Sequence, residues 1–273
     1  MKLAFSTIGC PGWLWGEVVA TAKDMGYDGI ELRGIANKVY LPATRTFSLE
    51  NGLSIRGQME ALGLEIPCLS TSAFLFHEKY RDAARAEVRD YLNLAALLGA
   101  PYIRVLADRE AAPGAEVDEG EVLENLRQLA PLAAEKEVTL LVETNGVYAD
   151  SAKLAALLEK LADPNLGALW DINHPYRFYG ESPAVTFDRL KDWVRHVHIK
   201  DSLRQNGKIV YKMLGYGDVP VGEALALLEN HGYQGFVALE WLKRWVADLE
   251  DPGIVFAHFP HAVKRIMRRK EGK

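Results

Sequence analysis

The chain has 273 residues, 49% of them hydrophobic and 25% charged, the balance of an ordinary soluble globular protein. A chain of that length buries most of its apolar surface without staples, which excludes a disulfide scaffold, a disordered tail and a fibrous repeat. Its 32 basic and 37 acidic side chains leave a formal net charge of −5, which argues against a nucleic-acid partner.

From the N-terminus, Pro11, Gly12 and Glu17 interrupt any candidate signal segment, and no apolar run reaches membrane-spanning length. Cys10 and Cys68 are the only cysteines and lack Cys-x-x-Cys spacing. That pattern disfavours a disulfide framework or a thiolate zinc site and fits the cytoplasm. Short β-rich runs then recur at residues 3–7, 29–33, 65–70, 102–107, 139–144, 168–171, 194–200 and 236–240. Between them lie helical periods at 16–25, 49–62, 81–98, 121–136, 151–161 and 221–229, with a last helix over 254–269. The basic run Lys264-Arg265 to Arg268-Arg269-Lys270 reads as the solvated final turns of that helix. Glycines at 26, 63, 99 and 232 suit helix C-caps leading into the next strand.

Strict alternation implies a parallel sheet, and eight units of about 34 residues favour a closed (β/α)8 TIM barrel over an open doubly wound sheet. No linker or low-complexity tract divides the chain, so residues 1–273 read as one α/β domain.

In such barrels the chemistry sits at the C-terminal strand ends. Side chains alternate faces along a strand, so Val142, Trp170, Ile199 and Leu239 should pack under the helices. Their neighbours Glu143, Asp171, His198 and Glu240 then face the barrel mouth. Three carboxylates and one imidazole at equivalent heights suit Mn²⁺, Mg²⁺, Co²⁺ or Zn²⁺. Without a cation or a nearby lysine such a set repels itself. By the same parity Lys200 faces inward, to neutralise an oxyanion or to pair with Asp201. Glu31, Arg33 and Arg104 also face inward, as an interior ion-pair group or, for Glu31, as a substrate contact. His196, two residues below His198, reads as a satisfied core histidine. His174 either touches a substrate oxygen or bonds to loop backbone. Trp13 and Trp15 either wall off the mouth or pack within their loop. Residues 203–220, with Gly215-Tyr216-Gly217-Asp218, read as a loop over the mouth, a lid or a weak phosphate signal.

Through Val142-Glu143-Thr144-Asn145, Trp170-Asp171-Ile172-Asn173-His174, His196-Val197-His198-Ile199-Lys200-Asp201, Gly215-Tyr216-Gly217-Asp218 and Leu239-Glu240, the chain resembles the xylose isomerase-like TIM-barrel superfamily. This is the sugar phosphate isomerase/epimerase group, also called AP endonuclease family 2. The resemblance implies that Glu143, Asp171, His198 and Glu240 bind one divalent ion, often Mn²⁺. It also implies substrate contacts from His174 and, at the strand-seven loop, from Arg204. The nucleases of the superfamily use extra histidines after strands two to four. Here those ends carry Arg33-Gly34, Ser70-Thr71-Ser72 and Ala107-Asp108.

The expected activity is metal-dependent isomerisation or epimerisation of a small sugar, keto-sugar or inosose through an enediolate, with Glu143 and Glu240 moving the proton. The alternative is a hydro-lyase of the inosose or dehydroshikimate type, with His174 or Lys200 as acid; a non-catalytic metal- or sugar-binding protein is the third reading. The expected partner is a small polyol, with no nucleic acid or membrane, and a homo-oligomer stays open.

Overall fold

The computed structural model describes residues 1–114 and 116–271; the C-terminal pair 272–273 and the side chains of Arg269 and Lys270 from the basic run lie outside the described residues. Its strands are β1 (Lys2–Ser6), β2 (Gly29–Glu31), β3 (Cys68–Phe74), β4 (Tyr102–Leu106), β5 (Thr139–Glu143), β6 (Leu166–Asp171), β7 (Val194–Ile199), β8 (Asp201–Gln205), β9 (Lys208–Lys212) and β10 (Phe236–Leu239). All but β8 and β9 form one parallel sheet in the order β2-β1-β10-β7-β6-β5-β4-β3. The ends of that row meet through isolated bridges, Gly29 with Glu65 and Leu32 with Leu69, giving a nearly closed TIM barrel.

The helices between the strands are α1 (Trp15–Asp24), α2 (Leu49–Leu62), α3 (Arg81–Leu98), α4 (Glu119–Ala134), α5 (Ser151–Leu161), α6 (Pro183–Leu190), α7 (Val221–Asn230) and α8 (Pro252–Glu271). Their ends follow local chemistry. Asp118 accepts from Glu121 N at 3.1 Å to start α4, and Asp150 accepts from Ala152 N at 2.9 Å to start α5. Gly63 and Gly99 end α2 and α3 at φ of 66° and 72°, the left-handed conformation glycine adopts without a Cβ clash.

Strand β3 runs Cys68–Phe74, shifted from the expected 65–70, and two further features have no counterpart in the sequence expectation. Residues 203–220 are not an unstructured loop, because β8 and β9 make an antiparallel hairpin. Its turn is Asn206-Gly207, both at positive φ, the geometry that matches the twist of paired strands. Asp201 at its base accepts from Gly215 N, Gly217 N and Val219 N at 2.9, 2.9 and 3.2 Å. The Gly-Tyr-Gly amides are therefore taken up inside the loop and do not form a phosphate cradle. The second of these features is α6, eight residues announced only by Ser182 and Pro183, an N-cap and a first-turn proline.

Alternation places the core as expected. Val142, Trp170, Ile199 and Leu239 are buried in the large cluster between sheet and helices. Inside the barrel, Ala4, Phe236 and Ala238 form one small apolar group, and Cys68, Leu141 and Leu169 another. The polar residues of the same parity stand above these apolar groups at the mouth.

Candidate active site and metal centre

Glu143 ends β5, Asp171 ends β6, His198 is the penultimate residue of β7, and Glu240 follows β10. Asp171 and His198 are register partners on adjacent strands, and His198 in turn faces Ala238, two residues before Glu240. One donor atom from each of Glu143, Asp171, His198 and Glu240 falls in a group whose members lie within 4.8 Å of one another, all buried. His198 Nδ1 is 3.4 Å from Glu143 Oε1 and 3.5 Å from Glu240 Oε1, but has no hydrogen-bond partner. Asp171 Oδ2 accepts no well-aligned hydrogen bond, although the Lys200 ammonium lies 2.6 Å from it in an ion pair.

The other ring nitrogen of His198 is anchored. Nε2 donates to Glu31 Oε2 at 2.7 Å, and His196 Nε2 donates to the same oxygen at 2.8 Å. Burial raises the Glu31 pKa, yet the two imidazoles outweigh burial and hold it well below the usual carboxylate value. An ionised Glu31 only accepts, so it fixes the proton of His198 on Nε2 and turns Nδ1 toward the carboxylates. Burial opposes a charge on His198, but Glu31 and Glu240 prevail and push its pKa well above the ordinary imidazole value. A carboxylate set that draws a proton onto a buried ring is one that accepts a cation. The four residues thus fit a divalent ion in donor type and number, and in the unpartnered Nδ1 of His198.

Lys200 completes the charge pattern. Its ammonium lies 2.6 Å from Asp171 Oδ2 and donates to the Glu240 carboxylate. Burial lowers its pKa, but Asp171 and Glu240 overcome this and raise it well above the usual lysine value. The pairing with Asp201 open from sequence is not what Lys200 makes, since Asp201 is occupied by backbone amides.

Over this floor opens a cavity of about 490 Å³. Glu143, Glu240, His174 and Lys200 line it, with Arg33, Arg104, Asn145, Tyr211 of β9 and aromatics Phe74 and Trp245. His174 makes the backbone bond that was one of its two readings, and its ring lines the cavity. Nδ1 lies 2.9 Å from the Thr144 carbonyl, and Nε2 sits 3.7 Å from Asp171 Oδ2. Burial pulls its pKa below the ordinary value, so the ring is neutral in the cavity wall.

Four residues expected at the substrate stand elsewhere. Glu31 is fully buried behind His198 and, apart from the two histidines, accepts from Ser70 Oγ at 3.1 Å. Trp13 packs edge-on against Phe256 at 5.7 Å, and Trp15 Nε1 donates to Gln58 at 2.9 Å. Arg204 lies on the exposed part of β8 and donates to the Arg177 carbonyl at 2.6 Å. Nor do Glu31, Arg33 and Arg104 form one ion-pair group. Arg104 Nε is 3.4 Å from Glu143 Oε2, while Arg33 donates to the Ser72 hydroxyl at 2.7 Å. Both arginines line the cavity instead of closing an interior ion-pair group with Glu31, and their inward parity is the sequence signal for that place.

The family model of the xylose isomerase-like TIM barrel matches residues 19–256. Fructoselysine 3-epimerase of Escherichia coli O157:H7 is 25% identical over 229 residues, which cover 80% of this chain and 82% of that protein. The structure of a probable 3-DHS dehydratase from Bacillus anthracis aligns with a TM-score of 0.78 at 20% identity, over 97% of this chain and 99% of that one. The 3-keto-D-glucoside 4-epimerase of E. coli aligns with a TM-score of 0.74 at 18% identity, over 97% and 98%. These two structural likenesses speak to the fold. Among the described residues, no helix is long and apolar enough to cross a membrane.

Proposed function

The chain belongs to the xylose isomerase-like TIM-barrel family, and from that premise we propose that it is a divalent-metal-dependent isomerase or epimerase of a small sugar or keto-sugar. The observation that carries the reading is the pair Glu143 and Glu240, whose carboxylates approach His198 Nδ1 at 3.4 and 3.5 Å from strands on different sides of β7 and β6. The epimerase relative supports the reaction class.

Glu143, Asp171, His198 and Glu240 would hold the ion, Mn²⁺ being the first choice for three carboxylates and one imidazole. Such an ion supplies Lewis-acid polarisation of a carbonyl, which acidifies the neighbouring C–H. The chain's own residues move the proton. One of Glu143 and Glu240 takes it at a carboxylate oxygen from one face of the carbon, and the other returns one from the opposite face. Return to the same carbon inverts it; return to the adjacent carbon isomerises the sugar. Lys200, bonded to Glu240, holds that carboxylate in place and offers an N–H to an oxygen that gains charge. Phe74 and Trp245 supply apolar surface to the cavity wall.

A hydro-lyase reading is favoured by one feature. The Lys200 ammonium lines the cavity and can protonate a departing β-hydroxyl after the same C–H abstraction.

The test is NMR in D₂O with Mn²⁺ and a panel of ketoses, keto-sugars and inososes. Exchange of one carbon-bound proton with formation of an epimer or isomer is expected. Glu240→Gln should lower exchange about a thousandfold and reduce metal content. Undiminished exchange in that variant sinks the assignment, and loss of a hydroxyl from an inosose makes the enzyme a lyase.

A further inference from the structure

Two cations in the cavity wall are not accounted for by proton transfer on a neutral sugar. Arg33 follows β2 and Arg104 lies on β4, and their side chains line the same cavity as Glu143, Glu240 and Lys200. Arg33 is 6% exposed and Arg104 4%. A guanidinium taken out of water needs its donors satisfied, ordinarily by a carboxylate. Among the described residues Arg33 has no such partner: Nη2 donates to the neutral hydroxyl of Ser72, and Nη1 is buried with no acceptor. Glu87, the nearby carboxylate, accepts instead from Ser72 N at 2.6 Å. Arg104 Nε is also without a hydrogen bond, since Glu143 sits at 3.4 Å in an ion pair of poor alignment. Burial, and then the like charge of Arg104, draw the Arg33 pKa down to about 10. Two buried guanidinia that repel each other and keep donors free are suited to receive an anion.

Building on the isomerase reading, we propose that the substrate carries a carboxylate, received by Arg33 and Arg104 on the β2–β4 side of the cavity. A sugar acid is therefore the substrate class. Phosphate is the other source of anionic oxygens, but the backbone does not favour it. Barrel enzymes hold phosphate with amides of the last strand-to-helix loops. Here Gly215, Gly217 and Val219 donate theirs to Asp201. What remains for the anion is side-chain guanidinium, whose planar fork matches a carboxylate. Arg109, at the rim, is paired with Glu110 at 3.6 Å and adds no free charge. A cavity of about 490 Å³ accommodates a monosaccharide-sized acid.

Calorimetric titration of the Mn²⁺-loaded protein with D-galacturonate, D-galactose, glucose 6-phosphate and inorganic phosphate tests this. Galacturonate should bind at least tenfold tighter than galactose, and Arg33→Gln should erase that gap while leaving galactose unchanged. Arg33→Lys, which keeps the charge and loses the fork, should retain part of it. Equal binding of acid and neutral sugar by the wild-type protein overturns the proposal and needs no variant to fold. Equal weakening of both ligands in Arg33→Gln also overturns it, by making Arg33 a framework residue. Tighter binding of either phosphate ligand than of galacturonate overturns the choice of carboxylate. The outcome separates from that of the reaction itself: proton exchange on neutral ketoses without acid preference keeps the isomerase and sinks the acid. Acid preference without exchange in D₂O does the reverse.

Discussion

The two sides of the barrel mouth handle buried charge in opposite ways. On the side of β5, β6, β7 and β10, opposite charges lie in direct contact. Lys200 sits between Asp171 and Glu240, and His198 between Glu31 and the carboxylates. On the side of β2 and β4, Arg33 leans on a neutral serine and Arg104 on a loosely aligned Glu143. A buried ionic group with its partners in place is preorganised for a task repeated at every turnover, whereas one with spare donors is waiting for a partner that comes and goes. Chemistry on one wall and recognition on the other follow from that contrast.

The largest effect that should expose the contrast is on the first wall. Glu143→Gln keeps the shape of the side chain but removes a base and a carboxylate of the ion set. Proton exchange in D₂O should fall about a thousandfold, with the substrate acid still bound within a few-fold of wild type, because Arg33 is untouched and Arg104 keeps its charge while losing only the loosely aligned Glu143. Exchange within threefold of wild type would remove Glu143 from the proton path. If acid binding collapsed together with exchange, the two walls would have to be treated as one unit.

A smaller effect is expected one layer behind. Glu31 is fully buried, ionised and bonded to both His196 and His198. Glu31→Gln takes away the acceptor charge that keeps the His198 proton on Nε2. Metal-stripped variant protein titrated with Mn²⁺ should bind about 10- to 100-fold more weakly than wild type. Glu31→Asp, which keeps the charge on a shorter arm, should recover part of the loss. An unchanged affinity with lowered thermal stability would leave Glu31 as a support of the barrel interior alone.

What could be seen in the sequence follows the same division. Glu143, Asp171, His198 and Glu240 stood out because a polar residue in an otherwise apolar buried strand breaks a period-two pattern, and parity alone assigns it to the mouth. The partner of Glu31 could not be found that way. His196 and His198 are 165 and 167 residues distant, and only the order of strands around the barrel sets them against β2. The β8–β9 hairpin carries the clear turn signal Asn206-Gly207 and the β-rich Ile209-Val210-Tyr211, but β8 offers Leu203 as its one apolar position, so its periodicity is silent. Helix α6 spans only two turns, too short for a period to register, and its Ser-Pro start was the legible part. Trp13, in the loop before α1, and Trp15, the first residue of α1, show that nearness to a strand end does not settle orientation, since each finds a partner on a helix instead of the cavity.

The smallest effect concerns the choice between two arginines. The family resemblance implies Arg204 as a substrate contact, whereas burial and free donors single out Arg33. Arg204 lies on the exposed end of β8, where its Nη2 meets the Arg177 carbonyl. Arg177 is in turn held from within by Ser202 Oγ at 2.6 Å and by Asp218, so its backbone does not depend on Arg204 for support. An exposed guanidinium bonded to one carbonyl contributes at most about 1 kcal/mol to stability. It contributes to ligand binding only if it turns inward past Arg177. Arg204→Ala should therefore change galacturonate affinity by less than twofold and lower thermal stability slightly, where Arg33→Gln costs at least tenfold in binding. A tenfold loss in Arg204→Ala with Arg33→Gln silent would invert the assignment. The recognition wall would then move from the β2–β4 side to the hairpin.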